Sequence, residues 1–225
     1  MARPRSELRA RILRAARDHF LRHGVDGASL RAIASGARTT IGMVYYYFPT
    51  KDELFLAVIE ETYAGLLTAL QEIVDGGGGV EQKLARTHAR LWSMSDDEFA
   101  TVRLVLREAL VSAVRVRRIS ERFLRGHIPL FLGLLLEGRQ GGVLRDDQPL
   151  VAQLMTIFSL AILPVLAFRV AFPAVRGKLQ LPGGDELQAA LQAVLLRGIT
   201  TAGELGRPQR RARLLRTARG RAAPG

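Results

Sequence analysis

The chain contains no cysteine. That excludes a disulfide framework, thiolate metal sites and cysteine nucleophiles. Histidine is scarce: His19, His23, His88 and His127 are not spaced as metal ligands. His19 and His23 stand one helical turn apart but lack the glutamate of a His-Glu-x-x-His motif. No glycine-rich phosphate loop is present. The four glycines at Gly76–Gly79 follow no strand and precede no Lys-Ser/Thr pair. No nucleophile–base pair stands out, and neither period-two alternation nor an internal repeat is visible. The expectation is a chain without enzymatic activity, metal or cofactor. The first thirty residues hold no apolar run of a secretory leader, so a cytoplasmic location is expected.

What is present is ordinary for a soluble chain: 225 residues, 48% hydrophobic and 24% charged, enough for one compact domain or two small ones. Charge is uneven. Thirty-three Lys and Arg against twenty-one Asp and Glu leave a net charge of +12. Residues 1–49 carry nine Arg and three acids, and residues 206–225 carry seven Arg and no acid. The stretch between is close to neutral. A basic front and a basic tail around a neutral body suggest a polyanionic partner. The tail, 206–225, reads as disordered, rich in Pro, Gly and Arg.

Helical periodicity predicts an all-α fold. Leu8, Ile12, Ala16 and Phe20 mark an amphipathic helix over 6–23, stopped near Gly24. Ser29 can cap a short helix, Leu30 to Ser35. After a break at Gly36 to Arg38, Thr39 or Thr40 caps a second short helix ending near Tyr47, and Pro49 stops it. Thr50-Lys51-Asp52-Glu53 has the pattern of a capping box and opens a helix to about Val74. Further helices are expected over 80–94, 96–113, 116–138, 148–172 and 184–204, with kinks at Pro129 and Pro164.

Two short helices around a tight turn, inside a basic N-terminal unit, describe a helix-turn-helix. The second helix suits a major groove. Ser29 opens the first helix, and Thr39, Thr40 and Gly42 give the second a small, polar entrance. Tyr45, Tyr46, Tyr47 and Lys51 can donate to phosphates around the rim, and the helix starting after Thr50 turns its positive end the same way. Successive helical positions are about 100° apart, so three adjacent tyrosines cannot all face inward. Phe48 and part of Tyr45 are expected in the core.

The run Ser29-Leu30-Arg31-Ala32-Ile33-Ala34, followed by Thr40-Ile41-Gly42-Met43-Val44-Tyr45-Tyr46-Tyr47-Phe48-Pro49-Thr50-Lys51-Asp52-Glu53-Leu54, resembles the TetR family of transcriptional regulators. The resemblance covers the first helix to the start of the fourth; the remainder resembles the family in length and helical layout. It implies a DNA-binding domain at 1–50, an effector-binding and dimerisation domain at 51–205, and a repressor as the common mode. It implies contact to phosphate or a base edge by Arg31, close approach at Thr40 and Gly42, base or phosphate contacts by Tyr45 and Tyr46, and phosphate contacts by Tyr47 and Lys51. Arg3 and Arg5 would lie along the DNA, in the minor groove. Two departures stand out. Arg38 and Thr39 occupy turn positions where the family places glycine and an aliphatic residue, and Ile41 replaces a commonly polar one, which suits a thymine methyl.

The resemblance further implies a homodimer through the last two long helices and a pocket for a small-molecule effector among the helices before them. Leu150 to Phe168 is uncharged and long enough for a membrane span. Its Gln153, Thr156, Ser159 and Pro164 favour a buried interface helix instead, with no membrane partner. Candidate pocket residues are His88, Trp92, Phe99, Arg103, Phe123, His127 and Phe131, which combine apolar bodies with polar tips. The abundance of Leu, Val and Phe suggests an apolar effector. A two-fold dimer would set its reading helices about 34–36 Å apart on a near-palindromic double-stranded operator.

Overall fold

In the computed structural model, residues 3–175, 178 and 180–201 are described, with side chains from Ser6 onward. The side chains of Arg3 and Arg5 and the basic tail at 206–225 lie outside the described residues. The described residues form α1 (Arg3–Gly27), α2 (Leu30–Gly36), α3 (Ile41–Tyr47), α4 (Lys51–Asp75), α5 (Val80–Trp92), α6 (Asp96–Val111), α7 (Ala113–Arg125), α8 (His127–Gln140), α9 (Leu150–Leu166), α10 (Phe172–Val175) and α11 (Gly184–Ile199). They include no strand; the one β-bridge joins Leu144 to Thr200. The fold class is all-α, with α1, α2 and α3 forming a three-helix head at the N-terminal end.

Two compact units divide the chain. One comprises Met1–Asp75 with Ser93–Leu130, the other Gly76–Trp92 with Phe131–Gly225. In the first unit α1 packs on α2, α4 and α6, and α6 packs on α4 and α7. Its core includes Ile12, Phe20, Ile33, Val44, Leu54, Phe55, Val58, Leu104 and Ile119. The inner stripe of α1 meets α4 through an edge-on pair, Phe20 and Phe55, with ring centres 6.0 Å apart. Side chains of this size each contribute about 1.5–3 kcal/mol on burial. In the second unit α5, α9 and α11 pack on one another. Phe131 is fully buried and meets Phe158 edge-on at 5.3 Å.

Several boundaries differ from the periodicity. α1 runs to Gly27, but Gly24 has φ of 72°, so the regular helix does stop there. A Cβ at Gly24 would lie 2.7 Å from the Arg107 guanidinium. The break expected near Arg115 falls at Ser112, whose hydroxyl caps α7 by accepting from Arg115 N–H. The helix expected over 116–138 is two helices, broken at Gly126. Tyr63 approaches there so closely that a Cβ would collide with its hydroxyl. That hydroxyl accepts the first N–H of α8, from His127, at 3.0 Å. Pro129 thus stands in the first turn of α8, where its missing N–H costs nothing, and produces no kink. The helix expected over 148–172 is regular only to Leu166. A π-helical turn, Ala167–Ala171, follows Pro164 before α10.

The turn between α2 and α3 carries the one non-glycine residue with positive φ among those described, Arg38 at 52°. A side chain in this left-handed region costs about 1–2 kcal/mol. Glycine adopts it freely but gains freedom in the unfolded chain. Arg38→Gly is therefore expected to raise unfolding free energy by about 0.5–1 kcal/mol. Urea denaturation with an unchanged slope checks this, and a loss of stability would contradict it.

Candidate nucleic-acid interface

The reading head is set by short-range capping. Ser29 is extended, and its Oγ accepts Ala32 N–H at 3.4 Å. Thr40 is the cap of α3 rather than Thr39; its Oγ1 accepts Met43 N–H at 3.4 Å. Thr50 Oγ1 accepts Glu53 N–H at 3.1 Å and opens α4. Ile33 and Ala34 anchor α2, and Val44 anchors α3, all buried.

With Val44 turned inward, α3 turns its aromatics out. Tyr45 is 49% and Tyr46 66% exposed, while Phe48 is buried. Tyr47 is half-buried and meets Tyr46 edge-on at 5.3 Å. The Arg9 guanidinium lies 5.4 Å from the centre of the Phe48 ring. Ser29, Arg31, Thr40 and Gly42 are exposed; Thr39 and Lys51 are half-buried. Lys51 Nζ donates to the Asp26 carbonyl at 2.9 Å, so the end of α1 holds its ammonium.

Behind the head lies a cluster that sequence reasoning missed. Arg115, in the first turn of α7, is nearly buried. Its Nε donates to Asp52 Oδ1 at 3.0 Å, and its Nη1 to Glu108 Oε2 at 2.7 Å and Asp26 Oδ2 at 3.1 Å. Nη2 also donates to Asp26 Oδ1. Glu108 is buried, and its other oxygen accepts Val25 N–H at 3.2 Å. The hydrogen bond from Arg115 holds the Asp26 carboxyl below its usual range. The same contact raises the pKa of Arg115, with further help from Asp52 and Glu108. Four positions this far apart in sequence leave no local pattern to find.

The seven candidate pocket residues divide between the two compact units. Phe123 and His127 meet in the first unit, ring centres 4.7 Å apart, together with Tyr63, which the sequence did not single out. Tyr63 Oη lies 2.6 Å from His127 Nδ1. Burial pushes the His127 imidazole down to about 4 and the Tyr63 phenol up, so both are neutral near pH 7. Phe99 is buried in the same unit with Arg103 over its ring at 6.0 Å, the guanidinium side chain exposed. His88, Trp92 and Phe131 belong to the second unit. There Trp92 stacks at a tilt on Phe168, 5.6 Å between centres. His88 is fully buried, which lowers its pKa.

Comparison with known proteins agrees with this geometry. Residues 12–58 match the family described as bacterial regulatory proteins, tetR family. The chain is 31% identical to the transcriptional repressor NicS of Pseudomonas putida over 62% of its own length and 66% of that protein. It is 26% identical to the transcriptional repressor SCO4008 of Streptomyces coelicolor, over 82% of this chain and 88% of that one. The crystal structure of FadR from Bacillus subtilis in complex with stearoyl-CoA shares the fold, with a TM-score of 0.67 and 20% identity over 84% of this chain and 98% of that one. Capped paired helices, an outward aromatic face and these likenesses define a helix-turn-helix transcriptional regulator. The chain belongs to the TetR family and is a DNA-binding transcriptional repressor.

The arginine cluster makes a stability claim. Removing one partner of a buried ion pair leaves the other charged and unpaired, a loss of about 3–5 kcal/mol. Arg115→Met is expected to destabilise by about that much. Adding Glu108→Gln removes the stranded charge, so the double variant should be more stable than the single one. Urea unfolding of both, with full additivity of the two losses, would contradict a direct coupling.

Proposed function

We propose that the chain binds a near-palindromic double-stranded operator as a homodimer, with α3 in the major groove, and that a small-molecule effector releases it. The observation that carries this reading is the exposed pair Tyr45 and Tyr46 on a helix whose buried anchor is Val44. Exposed aromatics with hydroxyl tips reach bases or phosphates where a solvated face would carry charge. Arg31, Thr39, Thr40 and Gly42 are proposed to meet the groove, Ser29 to orient α2, and Tyr47 and Lys51 to hold phosphates. In functional terms residues 1–50 read DNA, and 51–205 serve the effector and the dimer. A cytoplasmic, non-enzymatic regulator accords with relatives that are transcriptional regulators.

A homodimer through α9 and α11 is supported by what they leave uncovered. Val151, Met155, Leu163 and Val170 on the α9–α10 stretch, and Val194 on α11, are about half exposed or more. The segment Leu150–Val175 is long enough for a membrane span, and its most apolar 18-residue window has a mean hydropathy of 2.2, with 28% of that window buried. Its other side argues for protein rather than lipid. Buried Gln153 accepts from Arg139 at 3.1 Å and donates to the Arg145 carbonyl at 2.8 Å. An apolar stripe opposite such a polar anchor suits a second copy of the chain.

Selection of bound sequences from random DNA is expected to return an inverted repeat. On that sequence Tyr46→Ala should weaken binding by about 1–3 kcal/mol if the ring contacts a base. Unchanged affinity and specificity would remove Tyr46 from the interface.

The dimer has its own test. Met155→Glu places a charge in the stripe and is expected to give a monomer in light scattering while helical content is kept. A dimer that persists would overturn the stripe as the interface. Recovery of the unsubstituted chain in a salt-washed membrane pellet would favour lipid instead.

A further inference from the structure

The first unit contains a cleft that the interface does not use. It opens between α4 and α7, with a volume of about 250 Å³. Leu56, Ile59 and Leu67 of α4 and Ile119 of α7 form apolar walls, and Tyr63 and Gly126 also line it. The Tyr63 hydroxyl is engaged by the His127 ring and N–H and its ring meets Phe123, so Tyr63 lines the cleft without a free polar group. The rim is of opposite character. Arg122 and Arg125 line it with Glu60. Glu60 pairs with Arg122 at 2.5 Å. Arg125 is exposed and makes no ion pair among the described residues. The rim thus holds one uncompensated positive charge above an uncharged, greasy floor.

We propose that this cleft binds an amphipathic anion, an apolar chain with one carboxylate or phosphate head, and that the occupant loosens the reading head through α7. The head would meet Arg125 and compete with Glu60 for Arg122, while the chain lies against Leu56, Ile59 and Leu67. The proposal rests on the effector-released operator binding proposed for this chain and gives that effector a place and a chemical class.

The coupling comes from where α7 begins. Arg115 is four residues before Ile119 on the same helix, so one rod carries both the cleft wall and the arginine. Arg115 grips Asp26 and Asp52. The chain enters the reading head just after Asp26 and leaves it just before Asp52. One guanidinium therefore holds both ends of the α2–α3 segment. A ligand wedged between α4 and α7 shifts that rod against α4, and packed helices respond by stepping between arrangements rather than by bending. The ligand acts only as far as it prefers the shifted arrangement.

Calorimetric titration of the full chain with decanoate, decyl phosphate and decanol tests the chemistry. At least one anion is expected to bind about ten times more tightly than decanol, and the better of the two identifies the head. Arg125→Gln should weaken that anion about tenfold. Arg117→Gln, the same charge change on α7 outside the cleft, should leave it unaltered. Equal binding of decanol, or equal losses in the two variants, would overturn the site. For the coupling, the bound anion should weaken operator affinity of the unsubstituted chain at least about fivefold. Arg115→Lys keeps the charge but not the fork that spans two carboxylates, so the anion should still bind while its effect on operator affinity drops below about twofold. Undiminished release in Arg115→Lys would overturn the route through α7. Normal operator binding with no anion bound sinks this inference alone. Anion binding without any selected operator sinks the operator-release reading and leaves the cleft standing.

Discussion

A guanidinium taken out of water must have its donors satisfied, and Arg115 meets that demand with carboxylates from three helices. Desolvation of such a group costs several kcal/mol, and the buried Glu108 carboxylate is the partner that chiefly offsets it, with Asp52 and the exposed Asp26 completing the fork. This requirement sets the relation of the end of α1, the start of α4, the end of α6 and the start of α7. Hydrophobic contacts such as Phe20 on Phe55 hold these helices together but tolerate sliding. A forked donor does not, because its hydrogen bonds weaken steeply with angle. Glu108 extends the constraint to the backbone by accepting Val25 N–H, so the chain path into the reading head is fixed as well.

The head itself is simpler in its physics. Each short helix is closed by one hydroxyl, Ser29 or Thr40, and anchored by one or two buried side chains. Seven-residue helices are too short to be stable alone, so their geometry is inherited from α1 and α4. The arginine cluster thus bears on where the two short helices are held, although none of its members is proposed to touch DNA. Arg38 fits the same picture. The turn demands a left-handed residue, and the surrounding helices impose that conformation on an arginine.

Local features were legible in the sequence because their causes are local. The Ser29 cap, the end of α3 before Pro49, and the burial of Phe48 beside exposed Tyr46 each depend on residues within one turn. The break at Gly126 was not legible, since its cause is Tyr63, sixty-four positions from His127. Apolar periodicity continued across it, and Pro129 looked like a kink because the new helix start was invisible. The arginine cluster was hidden for the same reason: Asp26, Asp52, Glu108 and Arg115 are ordinary charged residues until the fold brings them together. The candidate pocket list drew on both units because aromatic residues with polar tips are also what a helical core contains; within the first unit Phe123 meets His127 beside Tyr63, and Arg103 lies over Phe99.

The apolar character of α9 looked like evidence for burial on most faces, yet within this chain one side of the helix is covered and the other is not. The two halves of that observation belong together. A helix satisfied entirely by its own unit would leave no reason for exposed Val151 and Met155, and a helix bound for lipid would not hold Gln153 in a network with Arg139 and Arg145. The polar anchor fixes the rotation of α9, and that rotation decides which apolar side chains remain outside. A surface so defined presents the same stripe in every copy of the chain, which is the condition for a two-fold contact. In the homodimer proposed above, a change at each reading head would alter the fit of two heads to one duplex at once, so the losses at the two half-sites would add.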